Sequence, residues 1–509
     1  MNSPKIKILS IIVCALSFTA LFYKQSIGVN LLLFESLIIG LLAASNRFVK
    51  SKEVILTTAG TAITAVMVVA HNSSLSIAIN LLSVLLMIGV LLSPRVKSLI
   101  YSGLLAAVHL AVAQYEFFKQ IGALGATNSK LGRVIRWIKI GAIPLFVIIV
   151  FIAIYSAANP VFDGLLAQFT DRLDAVLTWL SEHLEFGLFW FFIFGMLVSD
   201  FLLLKTTESN LERSALLATD NLVRKKKLSF SQKLNLGLKL ELRSGILLVA
   251  VLNLLLLLLN GIDIYWVWFN FEWEGDYLKQ FVHEGTYLLI ISILISIAIS
   301  MYLFRGNQNF YSKSKLLKSL TVLWLGQNAL LALSVGMRNI HYIEHYALAH
   351  LRIGVFFFLV ATLVGLAIVI IKIRQKKTVH FVTRTNAFSA YAILVIMTLV
   401  NWDVVIAKYN FKHYQTTFTH LNFLAYLSYA TLPEQHKSIE FLSLVEESNQ
   451  DYPKERSYID KWEYELRVDK RIADFKADWE ARDWRSWNWA YARTYDKLED
   501  MENGISSDE

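Results

Sequence analysis

The chain has almost no cysteine and little charge. Cys14 is the single cysteine in 509 residues, which excludes an intrachain disulfide, a Cys-based zinc site and a CxxC redox pair. Charged residues make up 17%, against about 25% in ordinary soluble domains. Walker-type glycine loops, GxGxxG, GxSxG and a loop DxD are also missing. Their absence argues against a primary pump, a kinase and a sugar-nucleotide enzyme. It leaves a non-enzymatic protein with no cofactor as the leading expectation.

What is present is apolar. Hydrophobic residues reach 55% and the mean hydropathy is +0.49. They fall in blocks of roughly 18–22 residues, the length that carries a helix across ~30 Å of hydrocarbon. Lipid offers the backbone no hydrogen-bond partner, and the blocks are too long for barrel strands, so they read as helices. Eleven spans are expected, near 6–23, 27–44, 54–70, 75–92, 137–158, 184–204, 242–259, 281–304, 316–335, 351–373 and 387–407. The first follows Lys5 and Lys7 without a convincing cleavage site and reads as a retained span. Segment 98–118 is less apolar and carries His109, Gln114 and Glu116.

Loop charges set the orientation. Net charge is +9, yet from Lys408 onward 14 Lys and Arg face 20 Asp and Glu, so the tail is −6 and the rest +15. Loop 205–243 holds nine basic against four acidic residues, and further basic loops surround Arg305 and Lys376. Acidic connections lie between them, an alternation that places the basic loops in the cytoplasm. Basic residues in short loops orient spans, so nucleic acid is not an expected partner. Segment 119–139 is also basic, as are Arg95 and Lys97. Two cytoplasmic loops cannot flank one crossing, so 98–118 is expected to be interfacial or re-entrant. An amphipathic outer helix is expected at 159–183, and an aromatic belt at 264–269.

The fold class is therefore all-α: a polytopic membrane bundle of about eleven spans with a small extramembrane helical C-terminal domain. Its regions are 1–136, 137–408 and 409–509. The expected location is a bacterial cytoplasmic (inner) membrane, N-terminus cytoplasmic and tail extracytoplasmic. No internal repeat is visible, which weakens an inverted-repeat transporter reading.

Ionisable groups in lipid are costly and mark functional candidates. Here they are Glu35, Asp200, Glu284 and Asp403, the last three near span ends. Asn253 and Asn260 read as interhelical glue. The densest polar cluster runs from Arg338 to His345 and on to Arg352, and Arg338, Glu344 and Arg352 are expected to pair with one another. Within it His341-Tyr342-Ile343-Glu344-His345 fits the H-x-x-E-H spacing. Both imidazoles of that pattern can hold Zn²⁺ while the Glu polarises water. No clear third ligand follows. The tail holds Trp462, Trp479, Trp484, Trp487 and Trp489. They pack on other tail helices or dock on a lipid surface, a glycan or a partner protein.

Several stretches resemble an uncharacterised bacterial membrane family, a domain of unknown function numbered four-one-seven-three. They are the run from Tyr342 through Tyr346 to Arg352, Phe281-Val282-His283-Glu284-Gly285-Thr286-Tyr287, Asn159-Pro160-Val161-Phe162, and 401–410. The resemblance covers roughly 137–410 and departs at Ala347, where the family usually has Gly. It implies a multi-spanning bacterial protein and brings no activity. The expected function is binding of a membrane lipid, an envelope protein or a glycan through the outer loops and tail. A secondary transporter or lipid handler built on the four carboxylates is the alternative, and a metallopeptidase a third.

Overall fold

The computed structural model describes residues 4–124, 186–205, 210–224, 238–271, 275–452 and 458–504, with isolated positions between 144 and 162. The described residues are all-helical, with no strand among them. Isolated positions aside, the expected span at 137–158 and the outer helix at 159–183 lie outside the described residues.

A first bundle comprises α1 (Pro4–Phe22), α2 (Val29–Ala44), α3 (Lys52–His71), α4 (Ser74–Leu92), α5 (Leu99–Leu124) and α6 (Phe186–Leu203). Local chemistry sets its boundaries. Ser51 caps α3 by accepting from Val54 N at 3.2 Å. Ser73 and Ser76 form a capping box at α4. Between them Asn72 takes the left-handed conformation (φ 46°), which asparagine tolerates, and turns the chain back.

After the short α7 (Asn210–Leu217), a second bundle contains α8 (Leu238–Asp263), α9 (Gly275–Leu303), α10 (Lys315–Tyr346), α11 (His350–Gln375) and α12 (Val379–Met397). A π-helical turn, Ile264–Phe269, extends α8. Leu317, Leu325, Leu331, Val335, Leu366 and Val369 centre its core. Helix α12 serves both bundles, with Val382 in the second core and Tyr391 in the first.

Seven helices are long and apolar enough to cross a membrane: Lys52–His71, Ser74–Leu92, Leu238–Phe269, Thr286–Leu303, Ser312–Tyr346, His350–Gln375 and Val379–Met397. Ile6–Phe22, Val29–Ala44 and Gly187–Leu203 are apolar but shorter. Seven long and three shorter apolar helices thus stand among the described residues, where ten of the eleven expected spans fall. The last expected span moves: its helix stops at Met397 instead of running to 407. There the Thr398 hydroxyl and the Trp402 indole bond the carbonyls of Val395 and Met397, which a continuing helix would have used.

Polarity is arranged inside out. Thr57, Thr61, Thr64, Asn80 and Ser83 are buried between α3 and α4, while Leu254, Leu257 and Leu258 lie exposed on α8. Water would penalise that arrangement and lipid favours it.

Helix α5 follows the same plan. It has 26 residues, about 39 Å at ~1.5 Å per residue. A Cβ on Gly89 would lie 2.0 Å from the Ser102 carbonyl oxygen, so α4 and α5 meet backbone to backbone. On its other side Gln114 Nε2 donates to Asp200 Oδ1 at 2.8 Å and to Leu197 O at 3.0 Å. His109 Nε2 meets Phe201 O at 3.1 Å. These pairings make α5 antiparallel to both α4 and α6. His109 and Gln114 point into the bundle, Glu116 pairs with exposed Lys119 at 3.3 Å, and Leu104, Val108, Leu110 and Tyr115 point out. Hydrogen-bond acceptors on α6 accommodate His109 and Gln114, two of the groups that made this segment look unfit to enter, while α5 is not among the helices long and apolar enough to cross a membrane.

The remaining elements are α13 (Trp402–Lys412), α14 (Leu421–Ala425), α15 (Leu432–Gln435), α16 (Ile439–Ser448), α17 (Lys461–Glu480) and α18 (Trp489–Glu502). Pro433 begins α15, where its missing N–H costs nothing. Ile406, Phe411, Leu424, Tyr464 and Val468 form a core that Ile353 of α11 joins. The tail therefore has a core of its own that also rests on the second bundle.

Candidate functional site

The tail is fastened to the same end of both bundles. At the first, Val29 N donates to Trp487 O at 2.8 Å, Ser486 Oγ donates to Gln25 Oε1 at 2.8 Å, and Arg485 reaches Ala20 O. A Cβ at Gly28 would lie 2.5 Å from Trp487 O, so only glycine admits this approach. At the second, Phe418 N donates to His345 O at 2.9 Å, and Asn410 bridges both backbone groups of Leu348 at 2.7 and 3.0 Å.

Asp403 lies at this joint, beyond the end of α12. His350 Nε2 donates to Asp403 Oδ1 at 2.5 Å and Ser428 N donates to Oδ2 at 3.1 Å. Burial alone would push the carboxyl up. The hydrogen bonds and the His350 charge outweigh it and hold the group below its ordinary value.

A cavity of about 340 Å³ opens where α3, α13 and the tail meet. Val400, Val404 and Val405 give it an apolar floor, and His71, Lys408, Glu434, Trp489, Arg493 and Lys497 line its rim. Lys408 and Lys497 share Glu434 at 3.4 and 3.9 Å. Arg493 lies over the Trp489 ring at 5.4 Å. Three fixed cations against one carboxylate make a locally positive site within an acidic tail. Of the tail tryptophans, Trp479 stacks on Phe475, whereas Trp462, Trp484, Trp487 and Trp489 are exposed.

Of the four carboxylates, the three whose side chains are described have separate partners. Glu35 accepts from Asn80 Nδ2 at 3.1 Å, and the same amide donates to Thr64 Oγ1 at 3.2 Å. Asp200 faces Gln114 on α5. Asp403 belongs to the tail joint, and the side chain of Glu284 lies outside the described residues.

The outer cluster is wired differently from expectation. Arg338 pairs with the buried Asp263 at 2.5 Å, and Ser334 Oγ donates to the same carboxylate at 2.6 Å. Arg352 donates to the carbonyls of Tyr346 and Ala347, and Glu344 pairs with His341 at 3.1 Å. So Arg338, Glu344 and Arg352 do not pair with one another. The carbonyls at the end of α10 need a donor more than an exposed carboxylate does.

His341, Glu344 and His345 do not converge on a metal position. His341 Nε2 meets Val267 O at 2.9 Å and its ring stacks on Phe271 at 4.1 Å, while the His345 ring faces Tyr346 and Tyr452. Among the described residues, no group of three His, Cys, Asp or Glu side chains could hold a metal ion.

Asp263 is the main residue that sequence reading missed. Asn253 Nδ2 donates to Leu320 O at 3.0 Å, Gln327 Nε2 to Asn253 Oδ1 at 2.8 Å, and Asn260 Nδ2 to Gln327 O at 3.1 Å. With Ser334 and His341 these contacts recur every seven residues along parallel α8 and α10. The spacing of Asn253 and Asn260 signalled the seam, and Asp263 closes it one turn on.

No curated protein and no solved structure matches the chain. A family model does match, and it corrects both the expected number and the expected range. The match reaches back to residue 55 and runs through α15 to residue 437, so it takes in most of the first bundle and the start of the tail. The family description carries neither a membrane nor a bacterial source. With residues 55–437 matched, the chain belongs to the family described as Domain of unknown function (DUF4153).

Proposed function

We propose that this is a non-enzymatic envelope protein of a bacterial inner membrane that receives an anionic, partly apolar envelope component in the groove between bundle and tail. The observation that carries the reading is the groove itself. It sets Lys408, Arg493 and Lys497 above a valine floor, at the end of α3 and α12 where lipid headgroups would lie. Exposed Trp489 on its rim suits an interfacial position. In this reading the basic loop ends face the cytoplasm, the tail faces out, and α5 is a crossing helix.

The experiment is genetic and chemical together. Arg493→Glu/Lys497→Glu and Trp489→Ala should abolish complementation of a deletion strain at normal protein level. A photo-crosslinker at 489 should capture an envelope component. Full complementation by both variants would remove the proposal.

A second reading, a transporter or lipid handler, draws on the first bundle. There Asn80 Oδ1, Gln114 Oε1 and Asp200 Oδ2 are buried without a partner, beside the carboxylates of Glu35 and Asp200. Such acceptors suit water or a passing cation. Against it, none of the cavities at Lys7, Lys52, Tyr458 or Trp489 is lined by Glu35 or Asp200. Glu35→Gln and Asp200→Asn with intact complementation would dispose of it.

A further inference from the structure

At the end opposite the tail, an open groove of about 1010 Å³ runs between α3, α12 and the loop before α5. Its mouth holds Lys50, Lys52, Lys97 and Arg384, with Glu53 and Asp220 the acidic residues there. Arg384 is tied to Asp220 at 2.9 Å. Lys50, Lys52 and Lys97 have no carboxylate partner among the described residues and are exposed. Among the described residues the mouth therefore keeps a net positive charge, four basic side chains against Glu53 and Asp220.

Behind the mouth the lining turns apolar. Ile55, Leu56 and Ala59 follow Lys52 on one face of α3, at three, four and seven residues. Phe388 follows Arg384 by one turn on α12. Ile55 is 64% exposed, so the protein leaves this wall uncovered. Cations at the end of a span, continuous with an apolar strip about 6 Å long at ~1.5 Å per residue, match the charged headgroup of a phospholipid and the first part of its acyl chain. A soluble anion would satisfy the mouth and leave the strip bare.

We infer that this groove binds one anionic phospholipid, its phosphate at Lys50, Lys52 and Lys97 and an acyl chain along Ile55, Ala59 and Phe388. The lipid fills the seam between the first bundle and α12. Just past it, a Cβ on Gly60 would lie 2.0 Å from the Tyr391 hydroxyl, so the same two helices close tightly above. The site is separate from the tail groove and shares no residue with it.

The test uses the full chain in nanodiscs of phosphatidylglycerol or phosphatidylcholine, with thermal midpoints and native mass spectrometry of retained lipid. Phosphatidylglycerol should raise the midpoint and stay bound. The variant K50Q/K52Q/K97Q should lose the adduct, with affinity falling on the order of a hundredfold. Ala59→Phe, which changes no charge and blocks the acyl strip, should lose it as well. Three results overturn the inference: both variants keep the lipid, inorganic phosphate alone reproduces the midpoint shift, or K313Q/K315Q on the second bundle loses lipid equally.

Discussion

Arg338 and Asp263 form a buried ion pair at 2.5 Å, their side chains 4% and 3% exposed, between helices that are 75 residues apart in sequence. A pair removed from water is poor net stabilisation, yet breaking it strands one charge. Asp263→Ala should destabilise the protein by about 3–5 kcal/mol. The double variant Asp263→Leu/Arg338→Met should recover most of that loss, because no buried charge then remains. Thermal unfolding in detergent measures both, and an equally unstable double variant would assign the cost to packing.

Ala347 has φ 64° and ψ −176°, a region that essentially belongs to glycine. It is 2% exposed, and Arg352 holds its carbonyl. Ala347→Gly should therefore stabilise by about 1 kcal/mol, strain relief exceeding the entropy cost of glycine. A lower melting temperature in this variant would contradict the strain.

The joint at Asp403 makes tail docking sensitive to acid. Its carboxyl is held below the ordinary value of 3.8, so its stabilisation is complete above that pH and is lost as pH falls through the lower folded value. Asp403→Asn should cost about 1.5–3 kcal/mol at neutral pH. Its stability curve should converge on that of the wild type as the medium is acidified below pH 3.8. Parallel curves down to the lowest accessible pH would show that another group carries the acid sensitivity.

The direction of α5 is open to labelling. With Cys14 replaced by serine, a single cysteine at position 95 should react from the face bearing Lys52 and Arg384. One at position 119 should react from the face bearing the tail, because α5 runs antiparallel to α4 and α6. Labelling of both from one face would restore the interfacial reading.

Much of the architecture was legible because hydrocarbon makes simple demands. A block such as 75–92 has one helical solution, and the structure places α4 there almost to the residue. Boundaries with strong local chemistry, such as Ser73 with Ser76, follow the same logic. Segment 98–118 was less legible because hydropathy averages over all faces of a helix. His109 and Gln114 lowered that average, although both point at α6. Loop charge is silent on the packing of the same segment, since a basic stretch at 119–139 carries no information about which helices touch.

The candidate sites divide along a similar line. Amino-acid composition and spacing alone determined that the chain is helical, that its apolar blocks suit lipid, that one cysteine excludes disulfide chemistry, and that the polar positions of α8 repeat every seven residues. Those properties depend on local backbone demands and on the period of one helix. Tertiary structure decided that Arg338 meets Asp263 and not Glu344, that His341 and His345 face different neighbours, and that the tail joins both bundles. It also placed Lys408 and Arg493 over valines from another element. Such pairings depend on which helix faces which, and a side chain reports its own polarity but not its partner's position.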